Sequence, residues 1–263
     1  MSAPVTPLVI DAGDFDAAIF DMDGVITQTA TVHAAAWKQL FDEYLDDRRN
    51  RGLPSSEPFD AGADYRRYVD GRPRYDGVAA FLASRSISLP YGDPADPPGA
   101  ETVCGLGNRK DGYFWAKAQR DGVRAYASSI ALIKEMKRVH MRVGVFSASR
   151  NAGAILQAAG VIGLFDEKVD GIDSAELGLR GKPDPAMLLE LSRRLAALPP
   201  RTVVFEDAIA GVQAGRAGGF GLVIGVNRSP CAGELVREGA DAEVSDLAEV
   251  AVRPRPATGP SSA

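Results

Sequence analysis

The sequence predicts an α/β fold in which a parallel β-sheet carries a helical domain inserted between its first two strands. Short apolar runs alternate with amphipathic helical patterns along most of the chain, which is typical of βαβ units. The first two apolar runs, 17–20 and Arg142–Phe146, are separated by far more chain than one crossover helix needs. The intervening sequence is mostly helical in pattern, so we expect it to form a second domain.

Length and composition limit the classes of protein that fit this chain. Its 263 residues suffice for one or two domains, and 45% hydrophobic with 25% charged residues excludes disordered and collagen-like proteins. The net charge of -5 gives no basic field for nucleic acid, and no apolar run approaches the about 20 residues that span a bilayer. Two isolated cysteines and the lack of a signal-like start favour the cytoplasm. We therefore expect neither a nucleic-acid nor a membrane partner.

The strand pattern defines the expected domains. Clear apolar runs predict strands at 17–20, Arg142–Phe146, 202–205 and Leu222–Val226. Weaker runs predict two more strands, at 169–172 and Ala242–Val244. We expect residues 14–30 and 122–250 to form an α/β core and residues 31–121 to form a helical cap domain. The termini, residues 1–13 and 251–263, are expected to be flexible.

The first part of the predicted cap has a clear helical period. Apolar side chains recur on one face of a helix that starts at His33, namely Trp37, Leu40, Phe41, Tyr44 and Leu45. The stretch 89–99 is rich in Pro and Gly and predicts a loop.

Two carboxylates follow the first strand, where ligands bind in open parallel sheets. Asp21 and Asp23 lie two residues apart at the end of an apolar run, which is costly unless a cation or proton transfer uses them. A turn in which Asp accepts local hydrogen bonds is the alternative interpretation. A calcium loop is excluded because position twelve, counted from Asp21, is Val32 instead of Glu.

Hydroxyl groups follow the second strand. Ser147 and the backbone N–H groups of the next residues suit the oxygens of a phosphate, and Ala148, Ser149 and Asn151 belong to the same segment. An ordinary helix N-cap explains the same pattern equally well.

A second acidic pair and a lysine complete the set of candidate residues. Glu206 and Asp207 follow the strand at 202–205, and together with the first acidic pair they make a plausible Mg²⁺ half-site. Lys182 precedes a probable helix start, with Pro183 beside it. Taken alone, a solvated surface lysine is the simpler interpretation.

In combination, these segments resemble the haloacid dehalogenase (HAD)-like hydrolase superfamily. Asp21-Met-Asp23-Gly-Val, Ser147, Lys182 and Glu206-Asp207 occur in the order and strand-end contexts of that superfamily, over most of residues 15–247. The resemblance implies a Rossmann-like parallel sheet core with a helical cap inserted in the C1 position. Because Asp23 is present, phosphoryl transfer is favoured over carbon–halogen or carbon–phosphorus cleavage.

The cap and hinge segments resemble the β-phosphoglucomutase subfamily. The resemblance implies substrate-binding roles for Thr29 and His33 near the hinge, for Arg74 as a phosphate-binding arginine, and for Lys110. It implies the same role for two residues of the Ser147 segment, Ser149 and Asn151. The sequence departs from the subfamily at Asp111, which replaces an amide, and in the additional cap segments 46–58 and 86–103.

The resemblance also implies a mechanism. Asp21 is the expected nucleophile, which forms an aspartyl-phosphate, and Asp23 is the expected general acid and base. Ser147, the Ala148 backbone and Lys182 are expected to bind the phosphate. The expected Mg²⁺ ligands are Asp21, the Asp23 carbonyl, Asp207 and Glu206, the last directly or through water.

Three functions remain open at this point. A mutase would convert β-glucose 1-phosphate to glucose 6-phosphate with glucose 1,6-bisphosphate as catalytic ligand, whereas a phosphatase would transfer the phosphoryl group from a sugar phosphate to water. A sugar-phosphate-binding module without catalysis is the third alternative. In each case we expect a monomer with a small-molecule sugar phosphate as its partner.

Overall fold

The computed structural model describes residues 7–54, 56–228 and 233–255, and the chain divides into two compact units. The sheet unit consists of Met1–Ile26 with Ala125–Ala263, and the helical unit is Thr27–Arg124. The sequence had suggested 31 and 121 as the limits of the inserted segment. No helix of the described residues is long and apolar enough to cross a membrane.

A six-stranded parallel sheet organises the sheet unit. Its strands are β2 (Ala17–Asp21), β3 (Arg142–Phe146), β4 (Glu167–Val169), β5 (Thr202–Glu206), β6 (Leu222–Val226) and β7 (Ala242–Val244). They are arranged in the order β4-β3-β2-β5-β6-β7. Asp21 pairs with Phe146 and Phe20 with Phe205, so β2, β3 and β5 end at the same edge of the sheet. All residues of β2 and β5 are buried, as expected for central strands with helices on both faces.

In the described residues of this unit, the sheet is accompanied by the helices α4 (Ala127–Arg138), α5 (Ala152–Ala158), α6 (Gly171–Leu177), α7 (Ala186–Arg194), α8 (Ile209–Ala217) and α9 (Glu234–Arg237). Apolar side chains of α7 and α8, including Leu188, Leu191 and Val212, pack with Ile19 and Val204 of the central strands. The core therefore lies directly beneath the strand ends at which the acidic residues are found.

One predicted strand is displaced. We expected a strand at 169–172, but β4 ends at Val169 and α6 begins at Gly171. The reason is a capping box: Asp170 accepts hydrogen bonds from the N–H groups of Ile172 and Asp173, and the Asp173 carboxylate accepts from the N–H of Asp170. The other five predicted strands are confirmed.

The prediction of flexible termini is wrong for the residues nearest the core. β1 (Leu8–Asp11) and β8 (Val250–Arg253) form a separate two-stranded parallel sheet. Ile10 is completely buried, and the N–H of Ala12 continues the ladder by donating to the carbonyl of Arg253 at 2.9 Å. Each strand is short and its partner is distant in sequence, so neither has a local signal. Residues 1–6 and 256–263 lie outside the described part of the chain.

The helical unit, as far as its residues are described, consists of α1 (Ala30–Asn50), α2 (Arg74–Ser84) and α3 (Val103–Asp121), with a short π-helical turn at Tyr65–Val69. The five apolar residues predicted to share one face of α1 are all buried. They pack with Phe59, Phe81 and Leu106 in one core. Stretch 89–99 is a loop, as predicted, and it is fastened to α3 because Asn108 donates to the carbonyls of Pro94 and Asp96.

Candidate active site

The nucleophile candidate lies at the buried end of the central strand. Asp21 is the last residue of β2 and only 4% exposed, and the N–H of Met22 donates to the carbonyl of Phe146 at 3.1 Å. Ser147 follows Phe146 and is held in turn by its own N–H, which donates to the carbonyl of Val169. The ladder of parallel strands thus aligns Asp21 and Ser147 at the same sheet edge.

Lys182 reaches this edge from the loop before α7. Its ammonium donates to Oδ1 of Asp21 at 2.5 Å and also to Oε1 of Glu206. The ammonium also lies 4.3 Å from the centroid of the Phe146 ring, and the Lys182 side chain is 2% exposed. The interpretation of Lys182 as a solvated surface lysine is therefore wrong.

The charges of the three buried side chains depend on each other. Burial, assisted by the negative charges of Glu206 and Asp23, raises the pKa of Asp21 well above its ordinary value, although Lys182 opposes this. Burial on its own would lower the pKa of Lys182, but the charges of Asp21 and Glu206 outweigh it and raise that pKa. The two carboxylates therefore favour the charged form of Lys182.

Asp207 lies against the tight turn that follows Asp23. Gly24 has φ of +85°, and a Cβ there would lie 1.7 Å from Oδ2 of Asp207. The carboxylate of Asp207 consequently rests on the backbone of the turn that carries Asp23. Oγ of Ser147 donates to Oδ2 of Asp23 over 3.4 Å, so the second carboxylate of the first acidic pair also faces the Ser147 segment.

The segment after β3 forms a compact loop ahead of α5. The hydroxyl oxygen of Ser147 accepts from the N–H of Ser149, and that of Ser149 accepts from the N–H of Asn151, each at 3.1 Å. Because α5 begins at Ala152 with Asn151 as its N-cap residue, the interpretation of Ser147 as an ordinary N-cap is wrong. The loop also lies against Gly171, where a Cβ would be 2.6 Å from the carbonyl oxygen of Ala148.

Glu206 faces Lys182 and the start of α8. It is completely buried, Oε1 accepts from Lys182, and Oε2 accepts from the N–H of Ala208 at 2.6 Å. A Cβ at Gly211 would lie 1.8 Å from Oε1, so the carboxylate fills the space that this glycine leaves. Both oxygens of Glu206 are therefore used by donors of the protein itself.

This arrangement bears on the predicted metal ligands. Within the described residues, no group of three or more His, Cys, Asp and Glu side chains is arranged to hold a metal ion. Glu206 and Asp21 both accept from Lys182, and Glu206 also accepts from the N–H of Ala208. The expected ligands Asp21, Asp207 and the Asp23 carbonyl, with Glu206 directly or through water, therefore stay a prediction. Two carboxylates with a carbonyl, water and a substrate phosphate are an ordinary Mg²⁺ environment.

The predicted residues of the helical unit form two neighbouring pairs. Nζ of Lys110 lies 2.6 Å from Nδ1 of His33, whose ring stacks on Phe114 with centroids 4.2 Å apart. A lysine ammonium has only donors, so Nδ1 of His33 is the acceptor in this pair. Next along α3, Asp111 forms a 2.9 Å ion pair with Arg74.

Thr29 lies at the start of the same unit. Its hydroxyl is buried and lies 2.6 Å from that of Thr27. Thr29 is the N-cap residue of α1 but makes no side-chain capping bond, so its hydroxyl is committed to Thr27 and to other contacts.

Sequence reasoning missed Arg228, which also follows a strand of the sheet. It comes two residues after β6, and its Nε donates to the carbonyl of Gly24 at 2.9 Å. The strand-end rule that identified Asp21, Ser147 and Glu206 would have indicated Arg228 had it been applied to β6 as well.

Comparison with known proteins identifies the class to which this fold and site belong. The haloacid dehalogenase-like hydrolase family matches residues 15–219, and the chain belongs to this family. β-Phosphoglucomutase of Mycobacterium bovis is 43% identical over 237 residues, which cover 89% of this chain and 90% of that protein. The phosphorylated carbohydrates phosphatase of Thermotoga maritima is 27% identical over 223 residues, covering 85% of this chain and 90% of that protein.

The fold is similar to that of a solved structure. The crystal structure of β-phosphoglucomutase from Clostridium difficile matches with a TM-score of 0.66 at 23% identity, covering 89% of this chain and 92% of that chain. The predicted α/β fold class is thereby confirmed. The family and the relatives make this chain an enzyme of the phosphotransferase and phosphatase kind.

Proposed function

We propose that the protein is a Mg²⁺-dependent β-phosphoglucomutase, which converts β-glucose 1-phosphate to glucose 6-phosphate through an aspartyl-phosphate on Asp21. The observation that carries the proposal is the buried contact between Lys182 and Asp21 at the strand edge that also holds Ser147 and Asp23. The 43% identity to the mycobacterial enzyme over most of both chains supports the choice of reaction.

Asp21 needs additional positive charge to act as a nucleophile. Burial and the neighbouring carboxylates raise its pKa, so Lys182 alone does not offset the acidic surroundings. The donor set fits Mg²⁺: Asp21, Asp207 and the carbonyl of Asp23 would hold it, and the Asp207 carboxylate already rests on the Gly24 turn. When bound, the ion would offset the charge of the phosphate and the nucleophile.

The positions of these side chains support the following course of phosphoryl transfer. An oxygen of Asp21 forms a bond to phosphorus while the bond between phosphorus and the sugar oxygen breaks, and Asp23 gives its proton to that oxygen. Lys182, the Ser147 hydroxyl and the N–H of Ala148 bind the equatorial oxygens. In the second half-reaction Asp23 takes the proton from the acceptor hydroxyl, whose oxygen forms a bond to phosphorus while the bond between phosphorus and the Asp21 oxygen breaks.

The helical unit would select the acceptor. Arg74 and Lys110, with Thr29 and His33, would bind the sugar and its second phosphate, and Ser149 with Asn151 would bind substrate from the sheet unit. The bisphosphate intermediate is glucose 1,6-bisphosphate, and the enzyme works as a monomer. The enzyme is a mutase when a sugar hydroxyl, and not water, attacks the phosphorus of the aspartyl-phosphate on Asp21.

A sugar phosphatase is the second candidate, and one observation favours it. Asp111 pairs with Arg74 at 2.9 Å and so reduces the positive charge available to a second phosphate. A weaker grip on a bisphosphate would let water accept the phosphoryl group. The similarity to the carbohydrate phosphatase of Thermotoga maritima agrees with this alternative.

Phosphorus NMR distinguishes the two reactions directly. Purified protein is given β-glucose 1-phosphate, Mg²⁺ and a trace of glucose 1,6-bisphosphate, with the Asp21→Asn variant as control. The mutase predicts a growing glucose 6-phosphate signal without inorganic phosphate, whereas steady release of inorganic phosphate would establish the phosphatase. Equal conversion by wild type and Asp21→Asn would contradict both.

A further inference from the structure

Arg228 makes three different contacts around the turn that follows β2. Its Nε donates to the carbonyl of Gly24 at 2.9 Å, and its Nη1 donates to Oδ2 of Asp246 at 2.8 Å. The centre of the guanidinium lies 3.5 Å from the centroid of the Tyr126 ring. Two charge-assisted hydrogen bonds and a stacked plane fix both the position and the orientation of the group.

The partners of Arg228 are themselves held in place. Asp246 starts a capping box, in which its Oδ1 accepts from the N–H of Ala248 at 2.8 Å. Tyr126 is fixed through its backbone, since its N–H donates to the carbonyl of Ile26 at 2.9 Å. The guanidinium is therefore held by fixed partners, and its hydrogen bond in turn fixes the position of the Gly24 carbonyl.

Gly24 is the residue through which Arg228 binds the turn. The carbonyls of Val25 and Ile26 are also bound, by the hydroxyl of Ser129 at 2.6 Å and by the N–H of Tyr126, and both donors are neutral. Arg228 is a charged donor, and the carbonyl that it binds is that of Gly24, the residue directly after Asp23. On its other side, the turn is covered by the Asp207 carboxylate, which leaves no room for a Cβ at Gly24.

We propose that Arg228 is a positioning residue that holds Asp23 in line for proton transfer by fixing the peptide of Gly24. Its described contacts are with Gly24, Asp246 and Tyr126, so its effect on Asp23 would pass through the turn. The proposal rests on the proposed function, because it assumes that Asp23 protonates the leaving oxygen.

Two substrates separate a positioning role from a general structural one. Transfer from β-glucose 1-phosphate expels a poor leaving group that needs the proton of Asp23, whereas transfer from p-nitrophenyl phosphate expels p-nitrophenolate, which needs no proton. Single-turnover rates with excess enzyme and Mg²⁺ report the formation of the aspartyl-phosphate for each substrate. The ratio of the two rates thus measures proton delivery.

The variants are Arg228→Met, Arg228→Lys and, as a matched control, Arg201→Met. Arg201 also binds one carboxylate and one backbone carbonyl, those of Asp16 and Gly13, but it lies at the opposite ends of the strands. We expect Arg228→Met to slow transfer from the sugar phosphate by about 10- to 100-fold and from the aryl phosphate by about threefold or less. Arg228→Lys should lose about tenfold on the sugar phosphate, because lysine cannot donate to both partners and stack. The control should change neither rate.

The outcomes distinguish this proposal from the proposed function. Equal losses on both substrates, or no loss on either, would overturn the positioning role. If Arg228→Met does not fold, as judged by circular dichroism, the rate ratio of Arg228→Lys decides. Failure of the wild type to transfer phosphate from either substrate to Asp21 would instead overturn the proposed function.

Discussion

Oδ2 of Asp207 occupies the space in which a side chain at Gly24 would begin, since a Cβ there would lie 1.7 Å from this oxygen. Two strand ends that are distant in sequence, those of β2 and β5, thus meet without an intervening side chain. This contact and the φ of +85° together explain why a glycine stands between Asp23 and Val25.

Gly24→Ala is expected to displace Asp207 and to lower kcat by about 100-fold, because misplacing catalytic groups by about 1 Å has effects of this size. The apparent affinity for Mg²⁺, measured from the Mg²⁺ dependence of activity, should fall as well. Gly160→Ala is the control: Gly160 has φ of +69° but nothing within 4 Å of a Cβ. Alanine at either position pays the same cost of about 1–2 kcal/mol for a positive φ, so Gly160→Ala should lose this stability and still keep its activity. Equal loss of activity in both variants would show that strain alone is responsible.

Asp21→Asn is expected to inactivate the enzyme and yet to stabilise the fold near pH 7 in the absence of metal. Burial, chiefly, raises the pKa of Asp21, so the folded state binds this proton more tightly than the unfolded state. The contribution of Asp21 to the free energy of unfolding therefore falls as pH rises above the ordinary aspartate pKa of about 4. The advantage of Asp21→Asn over wild type, from urea unfolding with chelator, should grow between about pH 4 and pH 7.

Asp166→Asn provides a control of opposite sign for that experiment. Although burial opposes it, hydrogen bonds from Lys137 and the N–H of Val143 lower the pKa of Asp166. Its contribution to stability is therefore present above the ordinary aspartate pKa and lost as pH falls, so Asp166→Asn should be less stable than wild type at pH 7. An Asp21→Asn variant less stable than wild type at every pH would contradict the account of Asp21.

Gly211→Ala is expected to lower activity by displacing the carboxylate of Glu206. A Cβ at Gly211 would lie 1.8 Å from Oε1 of Glu206, which must then move away from Lys182. We expect about a tenfold or greater loss of kcat, because Lys182 loses one of the two carboxylates that orient it. Gly153→Ala, in helix α5 with nothing within 4 Å of a Cβ, should leave turnover unchanged. Wild-type turnover in Gly211→Ala, measured by steady-state kinetics, would mean that Glu206 does not position Lys182.

Asp111→Asn is expected to strengthen binding of glucose 1,6-bisphosphate. The change removes the negative charge that lies 2.9 Å from Arg74 and leaves an amide of similar size. Since the pair is partly exposed, the gain should be about 1 kcal/mol or less, which is about fivefold in Kd by isothermal titration calorimetry. Asp121→Asn, on the same helix and paired with Lys117 and Arg120, is the control that should have no effect. Weaker binding by Asp111→Asn would indicate that the carboxylate itself contacts the sugar.

The sequence predicted the sheet and the buried site because both depend on local patterns. Apolar runs of four or five residues mark β2, β3, β5 and β6, and the polar residues that follow them converge because parallel strands end at one edge. Lys182 could be included only through the resemblance to a family, since nothing in its own neighbourhood shows that it reaches Asp21.

What the sequence did not predict depends on contacts between distant segments. β1 and β8 are each four residues long and acquire their structure from each other. The orientation of Glu206 toward Lys182 follows from the missing side chain of Gly211, which no periodicity reveals. The strand-end rule could have indicated Arg228 as a candidate, but the role that we propose for it depends on the contact between its guanidinium and the carbonyl of Gly24.

The central claim is that Asp21 carries the phosphoryl group, and mass spectrometry of acid-quenched enzyme tests it most directly. Wild-type protein mixed with β-glucose 1-phosphate and Mg²⁺ should yield one phosphorylated peptide, with the phosphate on Asp21, and Asp21→Asn should yield none. Isomerisation of the sugar phosphate without any labelled peptide, or a label at another residue, would contradict the account.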